Sequence, residues 1–245
     1  MYPYNQGYDI PGQRSMAGGI DFSEIMRQVY LWLAVGLLVG FGVALGLAQQ
    51  LTAGNPLVVS AFENPILTIG VIVVYMVVGF AFYPIVYRSS PAIGAVLYLL
   101  FTAIFGIMIS TIFLVYSTAS IWEAFLTAAI MFGVMSVIGF TTRLDLSKLG
   151  AILFMALIGI IVASLVNFFL HSGVLMLIVS IISIVVFSGL TAYDTQWIKR
   201  QALSMSASAS NTDVLHRIAL LGAFRLFLDF VNLFLSLLRI FGRNR

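Results

Sequence analysis

Residues 149–195 read LGAILFMALIGIIVASLVNFFLHSGVLMLIVSIISIVVFSGLTAYDT. Two apolar runs, Leu149–Leu170 and Gly173–Thr195, are parted only by His171 and Ser172, and Asp194 is the one carboxylate in the whole stretch. Runs of more than twenty apolar residues match the roughly 20 that an α-helix needs to cross the hydrocarbon core. They are too long for strands, and lipid-facing barrel strands would alternate polar with apolar positions. Two consecutive membrane helices are therefore predicted here, and the rest of the chain follows the same pattern.

Five further apolar stretches are present: Val29–Ala48, Ile66–Tyr87 behind Pro65, Ala92–Tyr116 behind Pro91, Phe125–Phe140, and about Ile218–Phe241. Pro65 and Pro91 fall at first-turn positions, where the missing N–H is no loss, and Pro84 inside the second stretch is expected to kink its last turn. The 245 residues are 61% hydrophobic and only 9% charged, and the mean hydropathy is +1.09. Soluble domains carry about 25% charged residues, so this chain lacks the polar surface a water-soluble fold needs. The fold class expected is all-α, a polytopic membrane bundle of seven transmembrane helices over residues 21–245. Residues 1–20, rich in Tyr, Gly, Pro and Gln without periodicity, are expected to form a disordered cytoplasmic tail. They lack the basic start and apolar run of a signal peptide. Asp21-Phe22-Ser23-Glu24 has the look of a helix start.

Lys and Arg set the orientation. Arg14 and Arg27 precede or begin the first stretch, Arg88 ends the second, Arg143 and Lys148 lie between the fourth and fifth, and Lys199 and Arg200 follow the sixth. The loops after the first, third and fifth stretches contain no Lys or Arg, and carry Glu63 and Glu123 instead. The expected arrangement is a multi-pass membrane protein with a cytoplasmic N-terminus. The seventh stretch is anomalous. A seventh crossing puts Arg239, Arg243 and Arg245 on the opposite side, against the rule, and only 13 residues lie between Arg225 and Arg239. Either it is a central helix shielded by the other six, or it re-enters and leaves on the side it came from.

Cys is absent, which excludes disulfides, zinc–thiolate sites, iron–sulfur clusters and thiol catalysis. The net charge of +3 reflects loop bias, and nucleic acid is not an expected partner. No Walker, Rossmann, H-E-x-x-H or G-x-S-x-G pattern occurs, so no enzyme activity and no tightly bound cofactor are expected. Gly36 with Gly40, and Gly42 with Gly46, give two G-x-x-x-G spacings that point to close helix packing. Asp145 is expected to cap the fifth helix. His171 and the pair His216-Arg217 have no second ligand at metal-binding spacing.

An ionisable group inside a membrane segment costs about 2.5–3.5 kcal/mol on insertion scales and is a functional candidate for that reason. Asp194, Arg225 and Asp229 are such groups, and Arg88 lies close enough in depth to reach them. At about 1.5 Å per residue, Asp194 is roughly 30 Å along the sixth stretch and Asp229 roughly 16 Å into the seventh. The two carboxylates are level only if one helix is shifted or a water-filled vestibule joins them. Two carboxylates close together in low dielectric resist double ionisation, which makes such a pair sensitive to pH. The functional reading is a cation or proton path lined by Asp194 and Asp229 with an arginine as removable counter-ion. The competing reading has each Asp neutralised by an Arg that locks the bundle. Arg225, four residues before Asp229, is expected to pair along its own helix or to snorkel to the interface. Asn232 would supply an amide oxygen to an ion or bond across helices.

Leu228-Asp229-Phe230-Val231-Asn232-Leu233-Phe234-Leu235, closing with Leu237-Leu238-Arg239-Ile240-Phe241-Gly242, resembles the C-terminal signature of the Bax-inhibitor (transmembrane Bax-inhibitor-motif) family. Gly189-Leu190-Thr191-Ala192-Tyr193-Asp194-Thr195-Gln196 resembles it too, while Thr141-Thr142-Arg143-Leu144-Asp145-Leu146-Ser147 and Leu153–Gly159 resemble its bacterial inner-membrane branch. The resemblance implies a seven-helix fold with the last helix central and a pH-sensitive calcium leak activity. It also implies that Asp194 and Asp229 form the sensor pair and transient calcium site, and that an arginine of the second helix, here Arg88, latches the pair. Two departures are visible: the second stretch has no interior acid, and Arg225 adds a cation beside Asp229.

Two rival readings differ in class. Intramembrane aspartyl proteases also carry a Tyr-Asp on one helix and an Asp on the next, but Leu226-Phe227-Leu228 stands where they need Gly-x-Gly, and no Pro-Ala-Leu follows. The stronger rival is a non-conducting membrane protein that modulates a membrane protease or a stress response. Beyond the lipid bilayer, a membrane protease or another membrane protein is thus the partner class expected.

Overall fold

In a computed structural model the chain is all-α. Residues 22–206 and 212–242 are described; the expected N-terminal tail and Arg243 and Arg245 lie outside them. Nine helices occur among these residues: α1 Phe22–Thr52, α2 Pro56–Glu63, α3 Pro65–Arg88, α4 Pro91–Ile109, α5 Ile112–Val115, α6 Thr118–Thr141, α7 Ser147–Leu170, α8 Gly173–Ser206 and α9 Thr212–Phe241. Seven segments are long and apolar enough to cross a membrane, with α4 and α5 together making the third. Six of the spans coincide with predicted stretches to within a few residues at one end or both. The sixth is longer than expected, continuing about ten residues past Thr195.

Local chemistry explains the starts. Asn55 accepts the Leu57 N–H at 3.1 Å and Asn64 the Ile66 N–H at 3.0 Å, each ahead of a proline in the first turn. These pairings satisfy donors that the opening turn leaves orphaned. Ser117 does the same for Ser120 at the head of α6. The short α2 was not expected. The Asn-Pro pair at its head and a second one at Asn64-Pro65 cut the first connection into a surface helix. Pro84 does not end α3, which remains helical to Arg88. α7 starts at Ser147 with Leu146 in the cap position, yet the Asp145 carboxylate still accepts the Ser147 N–H at 3.0 Å. That bond, ahead of the nearby Arg200 guanidinium, holds Asp145 below the usual carboxylate range. His171 ends α7 in the left-handed conformation (φ 49°).

α9 occupies the centre. Of its apolar window 78% is buried, against 6% in α7, and it packs on α8, α1, α6, α4 and α3. Four phenylalanines radiate from it. Phe224 stacks on Phe82 of α3 at 4.1 Å, Phe227 meets Phe105 of α4 edge-on at 5.3 Å, Phe230 meets Phe132 of α6 at 5.6 Å, and Phe234 meets Phe41 of α1 at 5.2 Å. A helix apolar all round is what a buried position requires. α9 is nevertheless the least hydropathic span, 1.9 against 2.8 for α7, because its neighbours and not lipid cover its polar groups. It is one continuous helix, so the re-entrant alternative is excluded, and seven crossings bring its end at Phe241 out on the face opposite the start of α1.

The glycine spacings divide. On Gly36 a Cβ would run into the Tyr98 ring, and on Gly40 it would come within 3.1 Å of the Thr102 carbonyl oxygen. Gly106 of α4 has no room at all, since a Cβ there would meet the Gly40 carbonyl and Val43. α1 and α4 thus touch backbone to backbone. Gly42 and Gly46 have nothing within 4 Å of that position, so the expected close packing fails for the second pair, which lies on a face of α1 turned away from α4. Replacing Gly106 with Val is therefore expected to destabilise the purified protein by about 1–3 kcal/mol, read as a lower melting temperature in detergent. Gly46→Val should leave the melting temperature unchanged.

Candidate functional site

The polar groups in the bundle gather between α8 and α9. These helices form the most extensive pair in the fold and run antiparallel. Asp194 lies twelve residues before the end of α8 at Ser206, and Arg225 thirteen after the start of α9 at Thr212. Equal distances from the turn bring the two level. An Arg225 guanidinium nitrogen lies 3.3 Å from Asp194 Oδ1. The guanidinium also sits over the Trp197 ring at 4.4 Å and near the Tyr193 ring at 5.9 Å. Tyr193, Asp194 and Trp197 share one face of α8, so a single helix supplies both a charge and two aromatic faces to the cation.

Asp229 follows one turn further along α9 and is 4% exposed, close to the 6% of Asp194. Both carboxylates border one cavity of about 550 Å³, with Arg225, Asn232, Tyr83 and Gly150 also in its wall. The depth mismatch inferred from the sequence is thereby removed: α8 continues well beyond Thr195, and the shared cavity joins the two levels. Asp194 Oδ1 and Asp229 Oδ2 are buried without a hydrogen-bond partner, so the Arg225 contact is a charge pairing and not an aligned hydrogen bond. With both acids ionised the group carries two negative charges and one positive.

Two expected placements are corrected. Arg88 is exposed in the last turn of α3 and does not border the cavity. Its distance along α3 puts it at the helix end, and the residue that α3 turns to the site is Tyr83. The ion pair to Asp194 is made by Arg225, which reaches across to α8 and is not paired along its own helix with Asp229. Asn232 borders the cavity, but its side-chain N–H donates to the Leu228 carbonyl at 2.7 Å, within α9. Trp197 was missed because the sixth stretch was ended at Thr195. Extending the helical period by one turn would have placed it beside Tyr193.

Close helix approach holds the arrangement. Gly150 of α7 leaves room for the Tyr193 ring, whose atoms would lie 2.5–3.0 Å from a Cβ at that position. Gly139 of α6 lies against the Ala192 backbone. Next to Asp194, Thr195 hydrogen-bonds Ser136 of α6 at 3.0 Å, and Ser136 bonds Tyr30 of α1. Gln196 accepts the Leu146 N–H at 2.9 Å and donates to the Leu144 carbonyl at 2.7 Å, clasping the α6–α7 loop.

The family described as "Inhibitor of apoptosis-promoting Bax1" matches residues 23–245, and the chain belongs to it. It is 44% identical over 220 residues to the inner membrane protein YbhL of Escherichia coli K12, covering 90% of this chain and 92% of that one. An uncharacterized membrane protein of Streptococcus pyogenes serotype M1 is 37% identical over 225 residues, covering 92% and 95% of the two chains. An uncharacterized protein of Deinococcus radiodurans is 37% identical over 220 residues, covering 90% of each. The seven-span bundle with its last helix central is thus the fold of a family member, as the sequence motifs implied.

Removing Arg225 alone strands two buried carboxylates, and breaking a buried pair is strongly destabilising. Arg225→Leu is expected to cost on the order of 3 kcal/mol, and adding Asp194→Asn to that variant should restore part of the loss. Thermal melts of the two single variants and the double variant, taken as a double-mutant cycle, measure the coupling.

Proposed function

We propose that this multi-pass membrane protein is a pH-sensitive cation leak of the bacterial inner membrane, with calcium as permeant ion. The observation that carries the reading is the unequal charge count in the cavity: two buried carboxylates face one arginine. A group with one negative charge in excess attracts a proton or a metal ion. Ca²⁺ prefers six to eight oxygens, so Asp194 and Asp229 are too few to store it. Transit calls for weak, partly hydrated binding, which two carboxylates and the Asn232 amide supply.

Asp194 and Asp229 then serve as pH sensor and transient cation site, and Arg225 as the counter-ion that the resemblance had assigned to Arg88. Protonating Asp194 removes the partner of Arg225 and frees it to move. Protonating either acid also lowers the negative charge that draws cations, so gating and attraction respond to the same proton in opposite senses. The role is non-catalytic and needs no resident cofactor. The Escherichia coli relative, an inner membrane protein, supports that location, and the Lys and Arg distribution supports a cytoplasmic N-terminus.

Flux into liposomes loaded with a calcium dye, compared between about pH 5 and 8, tests the proposal. Wild-type flux is expected to vary with pH, and Asp194→Asn and Asp229→Asn each to abolish that variation. No flux above empty liposomes at any pH would sink the leak and favour a protein that modulates membrane partners.

A further inference from the structure

The cavity wall carries five aromatic side chains. Tyr83 of α3, Phe154 of α7, Phe187 and Tyr193 of α8 and Phe224 of α9 all border it. A small hydrated metal ion gains little from such walls. Organic cations gain much more, because aromatic faces carry negative charge density and attract desolvated cations such as alkylammonium groups. Arg225 already exploits this on one side, over Trp197 and Tyr193. It also engages Asp194, so the carboxylate left over is Asp229, whose Oδ2 is buried with no hydrogen-bond partner. The charge count leaves room for one monovalent cation.

α3 packs on α2, α4 and α9, and α7 packs on α8, while α3 and α7 form no packed interface with each other. Tyr83 and Phe154 nevertheless border the same space. The α7 rim of that space is exposed: Phe154 is 59% accessible and Ala151 is exposed. At about 550 Å³ the cavity falls within the roughly 300–1,000 Å³ of small-molecule sites.

We infer that the cleft between α3 and α7 is a binding site for a lipophilic monovalent organic cation, which enters from the bilayer, pairs its charge with Asp229 and lays its hydrocarbon body on the aromatic walls. The site shares Asp229 with the calcium reading but does not depend on permeation. Neutral amphiphiles of the same size are excluded by the buried carboxylate they would leave unpaired.

Equilibrium binding of radiolabelled tetraphenylphosphonium to the full chain in nanodiscs of zwitterionic lipid tests this. Saturable binding of about one cation per chain is expected. Asp229→Asn should weaken it on the order of tenfold or more, as loss of a buried charge partner does, and Asp229→Glu should retain most of it. Ala151→Trp, at the exposed rim, should also weaken binding while leaving the melting temperature unchanged. Absence of saturable binding, or equal affinity in wild type and a folded Asp229→Asn, overturns the site. If Asp229→Asn does not fold, unchanged affinity in Ala151→Trp overturns it. Calcium flux from the same preparation separates the two readings: flux without cation binding removes this inference alone, and binding without flux removes the leak alone.

Discussion

A helix with an arginine and an aspartate in its middle is stable in a bilayer only when other helices stand between those groups and the lipid. The organisation of this protein follows from that constraint. α9 carries Arg225 and Asp229 and is the least hydropathic of the seven spans, yet it is by far the most buried. The outer helices show the reverse: α7, with 6% of its window buried, is the most apolar. Between these two extremes hydropathy and burial are inverted because lipid, unlike water, selects for apolar side chains on the outside. The four phenylalanines of α9 then have a packing role on every side, against α3, α4, α6 and α1.

Burial alone would leave the charges of α9 uncompensated, and α8 supplies the compensation. One face of α8 offers Asp194 to Arg225 together with the Tyr193 and Trp197 rings. On the same stretch of α8, Gln196 and Arg200 reach the α6–α7 connection through Leu144, Leu146 and Asp145, and Lys199 reaches the Phe140 carbonyl in the last turn of α6. The same few residues of α8 therefore hold the central charge and the loop at that end of the bundle. A change in the Arg225–Asp194 pairing would be felt by α9, by α8 and by the loop that α8 clasps. Glycines at 139 and 150 set how closely α6 and α7 approach that face.

The pairing is incomplete. A structural ion pair would match one acid to one base, with its remaining oxygens hydrogen-bonded. Here Asp194 Oδ1 and Asp229 Oδ2 have no hydrogen-bond partner and face a cavity. Such a site is energetically open to a proton, a metal ion or an organic cation. The aromatic side chains in its wall bear on which of these it prefers.

Much of this was legible in the amino-acid sequence. Seven spans follow from the length of the apolar runs, because crossing the hydrocarbon requires about 20 such residues whatever they pack against. Asp194, Arg225 and Asp229 stood out because charge in a membrane segment is expensive and therefore rare. Residues 228–242 and 189–196 further marked the family that the chain proved to join. Which arginine meets which aspartate was decided only by tertiary structure. Pairing depends on the relative shift of two antiparallel helices, and α8 runs past Thr195 because helical order there is sustained by packing and loop contacts and not by apolar composition. For the same reason α3 brings Tyr83 and not Arg88 to the cavity, and Gly36 and Gly40 found a partner helix while Gly42 and Gly46 did not. A single helix specifies its own faces, but the neighbour on each face is set by how all seven fit around α9.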